Sequence, residues 1–177
     1  MKLLFLDIDG VLNTMETYHT CKQRWEEGGF KKSKPIICNG QSFILGREYY
    51  LIDKDKVELL NQILDKTLGL PLQIVISSSW RMFGFEFMKD VLEFNGLYKG
   101  SVCAIVPREI SQDLRGEEIS QYLKSFYATY NIDNVESYVI LDDDNSAMEI
   151  HGNNFIQVEY EGLQQCHVDK ALQILNK

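Results

Sequence analysis

Five short apolar runs, spaced along the chain, restrict the folds that it can adopt. They comprise Lys2 to Leu6, Leu72 to Ile76, Val102 to Val106, Tyr138 to Leu141 and Phe155 to Val158. Continuous apolar runs this short are typical of strands buried on both faces of a parallel sheet. The stretches between most of the runs carry a helical period, and strands that alternate with helices form βαβ units. We therefore predict an α/β protein with a five-stranded parallel sheet.

Three stretches have the amphipathic spacing of helices that pack on such a sheet. Their apolar faces start at Val57, Ile119 and Val168. Asp53 is suited to cap the N-terminus of the first of these helices, and Gly69 is suited to end the same helix. A chain of 177 residues can bury one proper hydrophobic core and is too short for two ordinary domains. We expect a single domain over 1–177, with a three-layer, Rossmann-like arrangement of helices on both faces of the sheet.

The segment 14–52 departs from this alternation of strands and helices. It separates the first strand from the first convincing helix, and it carries six basic and four acidic residues in a chain with a net charge of −8. A connection of this length within a compact domain usually has a function. We interpret it as a flap or small cap, inserted after the first strand and lying over the strand ends. A solvated surface insertion is the alternative.

The acidic composition limits the partners of the chain. A net charge of −8 argues against a protein that coats nucleic acid or anionic membrane, because such binding needs clustered lysine and arginine. A small phosphorylated molecule or a single nucleic-acid end remains compatible with this charge. The four cysteines have no paired short spacing, and Asp7 and Asp9 interrupt the first apolar run. We predict a cytoplasmic protein with no membrane attachment and no stable protein partner.

Acidic side chains follow the first and the fourth apolar run. Asp7 and Asp9 stand two residues apart after the first run, and Asp142 and Asp143 follow the fourth. The carboxyl ends of parallel strands meet at one edge of the sheet. Carboxylates held close together repel one another unless a cation lies between them or they share proton transfer, and their hard oxygens suit Mg²⁺. Gly10 lets the backbone turn sharply beside a phosphate.

Hydroxyl and cationic groups complete the same predicted edge. Ser77 and Ser78 follow the second run, where hydroxyls and backbone N–H groups can bind phosphate oxygens. Arg115 stands at the start of the strongest predicted helix, and from there its guanidinium can clamp a phosphate. Trp80 and Arg81 come directly after the serines and are candidate contacts to a substrate base or backbone. For Trp80, a place covering the core is the alternative.

The motifs FLDIDGVLN, ISSSWR, RGEEI and ILDDD, in this order, resemble those of the haloacid dehalogenase-like (HAD) superfamily of phosphatases. They extend from Asp7 to Asp144 and so span most of the chain. More narrowly, the combination is similar to the phosphatase domains of RNA-repair proteins. The resemblance implies an enzyme that needs Mg²⁺ and forms an aspartyl-phosphate.

The same resemblance implies a role for each matching residue. Asp7 would be the nucleophile, and Asp9 would be the general acid and base. Ser77 would bond the transferred phosphoryl group, and Arg115 would neutralise it. The implied ligands of Mg²⁺ are Asp7, the backbone carbonyl of Asp9, Asp142 and Asp143.

Two of these assignments stay open at the level of sequence. Lys124 or Arg108 could replace Arg115, because the cationic motif is the least regular one in the family. Asp144, the last of three consecutive acids, is either a further metal ligand or a surface residue.

The expected function is a Mg²⁺-dependent phosphatase that acts on a nucleotide or a nucleic-acid end, with a small-metabolite phosphatase as the near alternative. From another class, a phospho-accepting signalling module also combines acids, a hydroxyl and a cation around Mg²⁺. Such modules carry the phosphorylated aspartate after the third strand, whereas Pro107 and Arg108 stand there in this chain. A non-catalytic binding protein with the same fold is a third alternative.

Overall fold

The computed structural model describes residues 1–28, 34–38, 41–108, 114–130, 135–146 and 148–177. The strands in these ranges are β1 (Lys2–Leu6), β2 (Lys34–Cys38), β3 (Gln41–Leu45), β4 (Leu72–Ile76), β5 (Val102–Ile105), β6 (Ser137–Asp142) and β7 (Phe155–Gln157). The α-helices are α1 (Met15–Glu27), α2 (Lys54–Lys66), α3 (Phe85–Phe94), α4 (Arg115–Tyr130) and α5 (Gln165–Leu175). Short 3₁₀ helices cover Arg47–Tyr50, Ser79–Phe83 and Met148–Asn154.

Five of the strands form one parallel sheet in the order β5-β4-β1-β6-β7. The central strand β1 is buried along its whole length, as its continuous apolar run requires. These strands are the five apolar runs, and their bounds differ from the predicted ones by no more than one residue at either end. The predicted α/β fold is therefore confirmed.

The two faces of the sheet are covered by different helices. Successive side chains of β1 point to opposite faces, so Leu4 and Leu6 pack in the core that contains α2, α3 and α5. Leu3 and Phe5 pack in the second core, which contains α4. The three-layer arrangement follows from this alternation.

The register of the sheet decides which residues meet at its carboxyl edge. Leu6, the last residue of β1, is in register with the last residue of β4 and with Leu141 of β6. The ladder continues for one more step, since the N–H of Asp7 donates to the Leu141 carbonyl at 3.0 Å and the N–H of Ser77 donates to the Leu6 carbonyl at 2.8 Å. Asp7, Ser77 and Asp142 therefore lie level with one another on three adjacent strands.

The predicted helices are present, and one of their ends differs from the prediction. Asp53 caps α2 as expected, because its carboxylate accepts the N–H of Asp55 at 2.9 Å. The helix ends at Lys66, before Gly69, since Thr67 has an extended backbone and its hydroxyl donates to the Ile63 carbonyl at 2.6 Å. The hydrogen bond from the Thr67 side chain thus ends the helix before it reaches Gly69.

The segment 14–52 contains α1, the antiparallel hairpin β2–β3 and the first 3₁₀ helix. Part of it belongs to the main core, in which Leu45, Tyr49 and Ile52 are buried. The Tyr49 hydroxyl donates to Asp90 on α3 at 2.6 Å, which ties the end of the segment to the domain. Its role as a flap or cap, and the single domain over 1–177, stay predictions.

No helix among the described residues is long and apolar enough to cross a membrane.

Candidate active site

One arginine joins the carboxylates that follow β1 and end β6. Nη1 of Arg115 donates to Oδ2 of Asp7 at 2.6 Å and to both carboxylate oxygens of Asp142 at 2.8 Å. Asp7 is 2% exposed and Asp142 is fully buried, while the arginine side chain keeps 19% of its surface exposed. Charge-assisted bonds of this kind fix the geometry of the groups that they join. Of the three cations considered from sequence, the structure places Arg115 against Asp7.

Three contacts hold the start of α4, and with it Arg115, at the edge of the sheet. The N–H of Gly116 donates to the Ser146 carbonyl at 3.2 Å, and Nε2 of His151 lies 2.8 Å from the Gly116 carbonyl. One turn later, the carboxylate of Glu118 pairs with Arg81 at 2.5 Å. Lys124 lies further along the helix and is exposed. None of these positioning contacts could be predicted from the local sequence, because their partners are distant along the chain.

The two buried carboxyl groups have pKa values above the usual value for aspartate. Burial raises the pKa of Asp7 to about 6, against the opposing effect of the Arg115 charge. Burial, together with the charge of Asp7, raises the pKa of Asp142 to about 7. When both groups are ionised, one arginine balances only one of the two charges. The site therefore favours a further cation at this point.

The residues around these carboxylates fit a magnesium ion. One carboxylate oxygen from each of Asp7, Asp142 and Asp143 lies within 4.8 Å of the others, and Asp143 is exposed. Oδ1 of Asp7 is buried and has no hydrogen-bond partner among the described residues, which is costly unless a ligand binds it. Gly10 has a φ of +72°, and a Cβ there would lie 2.3 Å from Oδ2 of Asp143. Only glycine leaves room for that carboxylate, and the oxygen ligands are those that Mg²⁺ prefers.

Asp144 turns away from these three carboxylates. It is exposed, and its Oδ1 accepts the N–H of Ser146 at 2.9 Å and the Ser146 hydroxyl at 2.5 Å. These bonds hold the pKa of Asp144 below its usual range. The acidic cluster found among the described residues contains Asp142 and Asp143 but not Asp144.

The carboxylate of Asp9 is held by donors from three parts of the chain. Its Oδ1 accepts from Asn13 at 2.8 Å, from the Tyr18 hydroxyl at 2.9 Å and from the indole N–H of Trp80 at 3.0 Å. Its Oδ2 lies 3.1 Å from the same indole nitrogen and accepts from the Ser79 hydroxyl at 3.2 Å. The orientation of Asp9 is thus set by donors on α1, on the turn after β1 and on the turn after β4.

Sequence reasoning missed Asn13 and Tyr18 in this arrangement. Asn13 also accepts the N–H of Gly10 at 3.0 Å, so it closes the tight turn that follows β1. Its place in the motif FLDIDGVLN was a usable signal. Tyr18 comes from the segment 14–52, and nothing in the local sequence indicates that its hydroxyl reaches Asp9.

The two predicted phosphate-binding serines lie beside Asp7 at the end of β4. Both are buried, and the hydroxyl of Ser77 has no partner among the described residues. The hydroxyl of Ser78 accepts the N–H of Trp80 at 3.3 Å and so caps the 3₁₀ helix Ser79–Phe83. In the described part of the chain, the hydroxyl of Ser77 is therefore unpartnered next to Asp7, and the hydroxyl of Ser78 still has its own proton to donate to a ligand.

Trp80 and Arg81, the candidate substrate contacts, are both engaged with the protein. Trp80 is 6% exposed and packs edge-on against Phe83, besides its bond to Asp9. Arg81 pairs with Glu118, and its Nη1 donates to the Val106 carbonyl at 3.3 Å. These contacts favour a positioning role for Trp80.

Comparison with known proteins agrees with this geometry. The family model described as the HAD domain in Swiss Army Knife RNA repair proteins matches residues 3–168. No curated protein matches the chain. The matched range includes every residue of the site described above, and the resemblance seen in the sequence motifs is confirmed. The chain therefore belongs to the family of HAD domains of the Swiss Army Knife RNA repair proteins, which identifies it as a phosphoric monoester hydrolase.

Proposed function

We propose that this protein is a Mg²⁺-dependent phosphatase that hydrolyses the phosphomonoester of a nucleotide or nucleic-acid end through an aspartyl-phosphate on Asp7. The observation that carries the proposal is the bridge from Arg115 to Asp7 and Asp142, with Asp143 beside them. This arrangement holds a carboxylate nucleophile next to a cation, and it supplies the oxygen ligands for a metal. Asp9 stands two residues from the nucleophile in a fixed orientation.

In the first step, a carboxylate oxygen of Asp7 attacks phosphorus, and the bond from phosphorus to the leaving oxygen breaks. Asp9 donates its proton to the leaving oxygen, which departs as an alcohol. Arg115 reduces the repulsion between the carboxylate and the phosphate dianion, and the free hydroxyl of Ser77 donates to a phosphoryl oxygen. Mg²⁺ held by Asp7, Asp142 and Asp143 would add Lewis-acid stabilisation of the phosphoryl charge.

In the second step, water attacks the phosphorus of the aspartyl-phosphate. Asp9, now a carboxylate, takes the proton from this water, and the bond from phosphorus to Asp7 breaks. Inorganic phosphate leaves and the carboxylate of Asp7 is restored. One residue serves as acid and then as base, so its orientation has to be kept through both steps.

The hydrogen bonds that orient Asp9 lead to a prediction for Trp80. Replacing Trp80 with phenylalanine removes the indole N–H from Asp9 and keeps an aromatic ring in the core. We expect kcat to fall about tenfold with little change in KM, since positioned proton transfer contributes about 10²- to 10⁴-fold. Steady-state kinetics on p-nitrophenyl phosphate would measure this split.

Phe83→Leu is the matched control, because it disturbs the ring packed against Trp80 and leaves the indole N–H in place. It is expected to change kcat by no more than about twofold. An equal fall in both variants would show that packing, and not the bond to Asp9, is responsible.

Two findings support a nucleic-acid or nucleotide substrate. The matching family consists of domains in RNA repair proteins. The segment 14–52 brings a locally basic composition to a chain with a net charge of −8, and its Tyr18 reaches the site. A strand end needs only a short binding surface, so the overall acidity is compatible with it. A cytosolic location is part of the same proposal.

Phosphate release from a substrate panel tests the proposed function. The panel contains p-nitrophenyl phosphate, nucleoside monophosphates, sugar phosphates, and oligonucleotides with a 3′- or 5′-phosphate. We expect turnover with Mg²⁺ and none with EDTA, with nucleotides or strand ends as the best substrates. Turnover that persists in EDTA would contradict the metal assignment. A sugar phosphate as the best substrate would instead favour the small-metabolite alternative.

A further inference from the structure

A small pocket adjoins the candidate active site on the side of Arg115. Its volume is about 100 Å³, and it is lined by Ser79, Arg81, Arg108, Arg115, Glu118 and Asp144. We call it the arginine pocket. Among the described residues, its charged lining comprises three arginines and two acids.

Two residues belong to both the arginine pocket and the active site. Arg115 lines the pocket, and its Nη1 binds Oδ2 of Asp7. Ser79 also lines the pocket, and its hydroxyl donates to Oδ2 of Asp9. A substrate whose phosphoryl group lies between Asp7 and Asp9 therefore has the arginine pocket directly beside it.

Both acids of the pocket are already engaged by donors of the protein. The carboxylate of Glu118 pairs with Nη2 of Arg81 at 2.5 Å, and Asp144 accepts two bonds from Ser146. Nε of Arg81 is buried and has no acceptor among the described residues. A buried donor without an acceptor is costly, so an oxygen-rich anion would relieve that cost. The pocket also lies at the N-terminus of α4, where the helix dipole favours negative charge.

The arginine pocket is large enough for a small anion. Its volume of about 100 Å³ leaves room for a phosphate group, since a single water molecule needs only about 10 to 15 Å³ of such volume. Arginine side chains are the groups best suited to recognise phosphate oxygens in such a space.

We propose that the arginine pocket binds a second phosphate of the substrate, next to the phosphomonoester that is hydrolysed. The inference rests on the proposed function and narrows it. In a strand end, the second phosphate is the neighbouring phosphodiester, whereas in a small molecule it is a second monoester. In either case the enzyme prefers substrates with two phosphates over otherwise matched monophosphates.

Steady-state kinetics with three matched substrates test this proposal. They are a nucleoside 3′-phosphate, a dinucleotide with a 3′-phosphate, and a nucleoside 3′,5′-bisphosphate. We expect wild-type kcat/KM to be at least about tenfold higher for a substrate with two phosphates than for the monophosphate. A preference for the dinucleotide alone would assign the pocket to strand ends, and a preference for the bisphosphate alone would assign it to a small molecule.

Variants of Arg108 test whether the preference for substrates with two phosphates depends on the arginine pocket. Arg108 is exposed, so Arg108→Gln should fold, and we expect it to remove most of the preference by raising KM for the two-phosphate substrate. Arg108→Lys should retain part of it. Lys99→Gln is the matched control, because Lys99 is an exposed cation that precedes β5. It therefore lies toward the amino ends of the strands, whereas the candidate site is at their carboxyl ends. It is expected to keep the preference.

Turnover of p-nitrophenyl phosphate by the wild type separates this inference from the proposed function. If that ester is hydrolysed but the three matched substrates have equal kcat/KM, the pocket assignment is overturned and the phosphatase remains. The assignment is also overturned if Arg108→Gln and Lys99→Gln lower the preference alike. If no ester is hydrolysed at all, the proposed function fails and the inference fails with it.

Discussion

Replacing Asp7 with asparagine will reduce phosphatase turnover by a factor on the order of 10⁴ to 10⁶, because it removes the proposed nucleophile, which acts together with its neighbours. Asparagine has the shape of aspartate, so the buried space next to Arg115 stays filled. Its amide cannot attack phosphorus to form the covalent intermediate. Arg115 keeps both bonds to Asp142, so the variant should fold. Phosphate release from p-nitrophenyl phosphate in Mg²⁺ measures the loss.

Asp169→Asn is the matched control for this experiment, because Asp169 is an exposed aspartate on α5 that bonds only locally to Gln165 in the described contacts. It should retain wild-type turnover. Mass spectrometry of wild-type protein quenched in acid during turnover should find a phosphoryl group on Asp7. If Asp7→Asn kept more than about a tenth of wild-type kcat, the carboxylate of Asp7 would not be the nucleophile.

Replacing Glu118 with glutamine will destabilise the fold by about 3 to 5 kcal/mol, because it leaves the charge of Arg81 buried with only a neutral acceptor in place of the carboxylate. The two side chains are 4% and 11% exposed, and they join α4 to the turn after β4. A loss of this size is a large share of the roughly 5 to 15 kcal/mol by which a domain is stable. Urea unfolding followed by circular dichroism gives the change in unfolding free energy.

The exposed pair between Lys22 and Glu26 on α1 offers a direct comparison. Its atoms are 3.9 Å apart and its side chains are 74% and 52% exposed, so solvent screens the attraction. Glu26→Gln is expected to change the unfolding free energy by no more than about 0.5 kcal/mol. Similar losses for Glu118→Gln and Glu26→Gln would mean that the buried pair contributes no more than a surface contact.

Much of the fold was predictable because its signals are local in the chain. Each strand of the parallel sheet is a continuous apolar run, and burial on both faces requires such a run. The helix α3 was not predicted, although Phe87, Met88, Val91 and Leu92 form its buried face with the usual spacing. The helix α1 gave a weaker signal, since only Thr17 and Cys21 of its residues are buried.

The carboxyl edge of the sheet was predictable for the same reason. Parallel strands in register bring their following residues together, so the order of the motifs already places Asp7, Ser77 and Asp142 side by side. A sharp turn at Gly10 was also predictable, and the residue has a φ of +72°, but only the structure placed the carboxylate of Asp143 where a Cβ would lie.

The sequence by itself thus determined the sheet, the acids at its edge and the kind of chemistry that they support. Of the three cations considered from sequence, only the tertiary structure decided that Arg115 is placed against Asp7, because that choice depends on how α4 is held against the sheet. Only the tertiary structure brought Tyr18 and the Trp80 indole to Asp9 and joined Arg81 to Glu118. The physical reason is that a buried strand needs a run of consecutive apolar residues, which is visible in the sequence. A side-chain hydrogen bond, in contrast, depends on the positions of elements far apart in the chain.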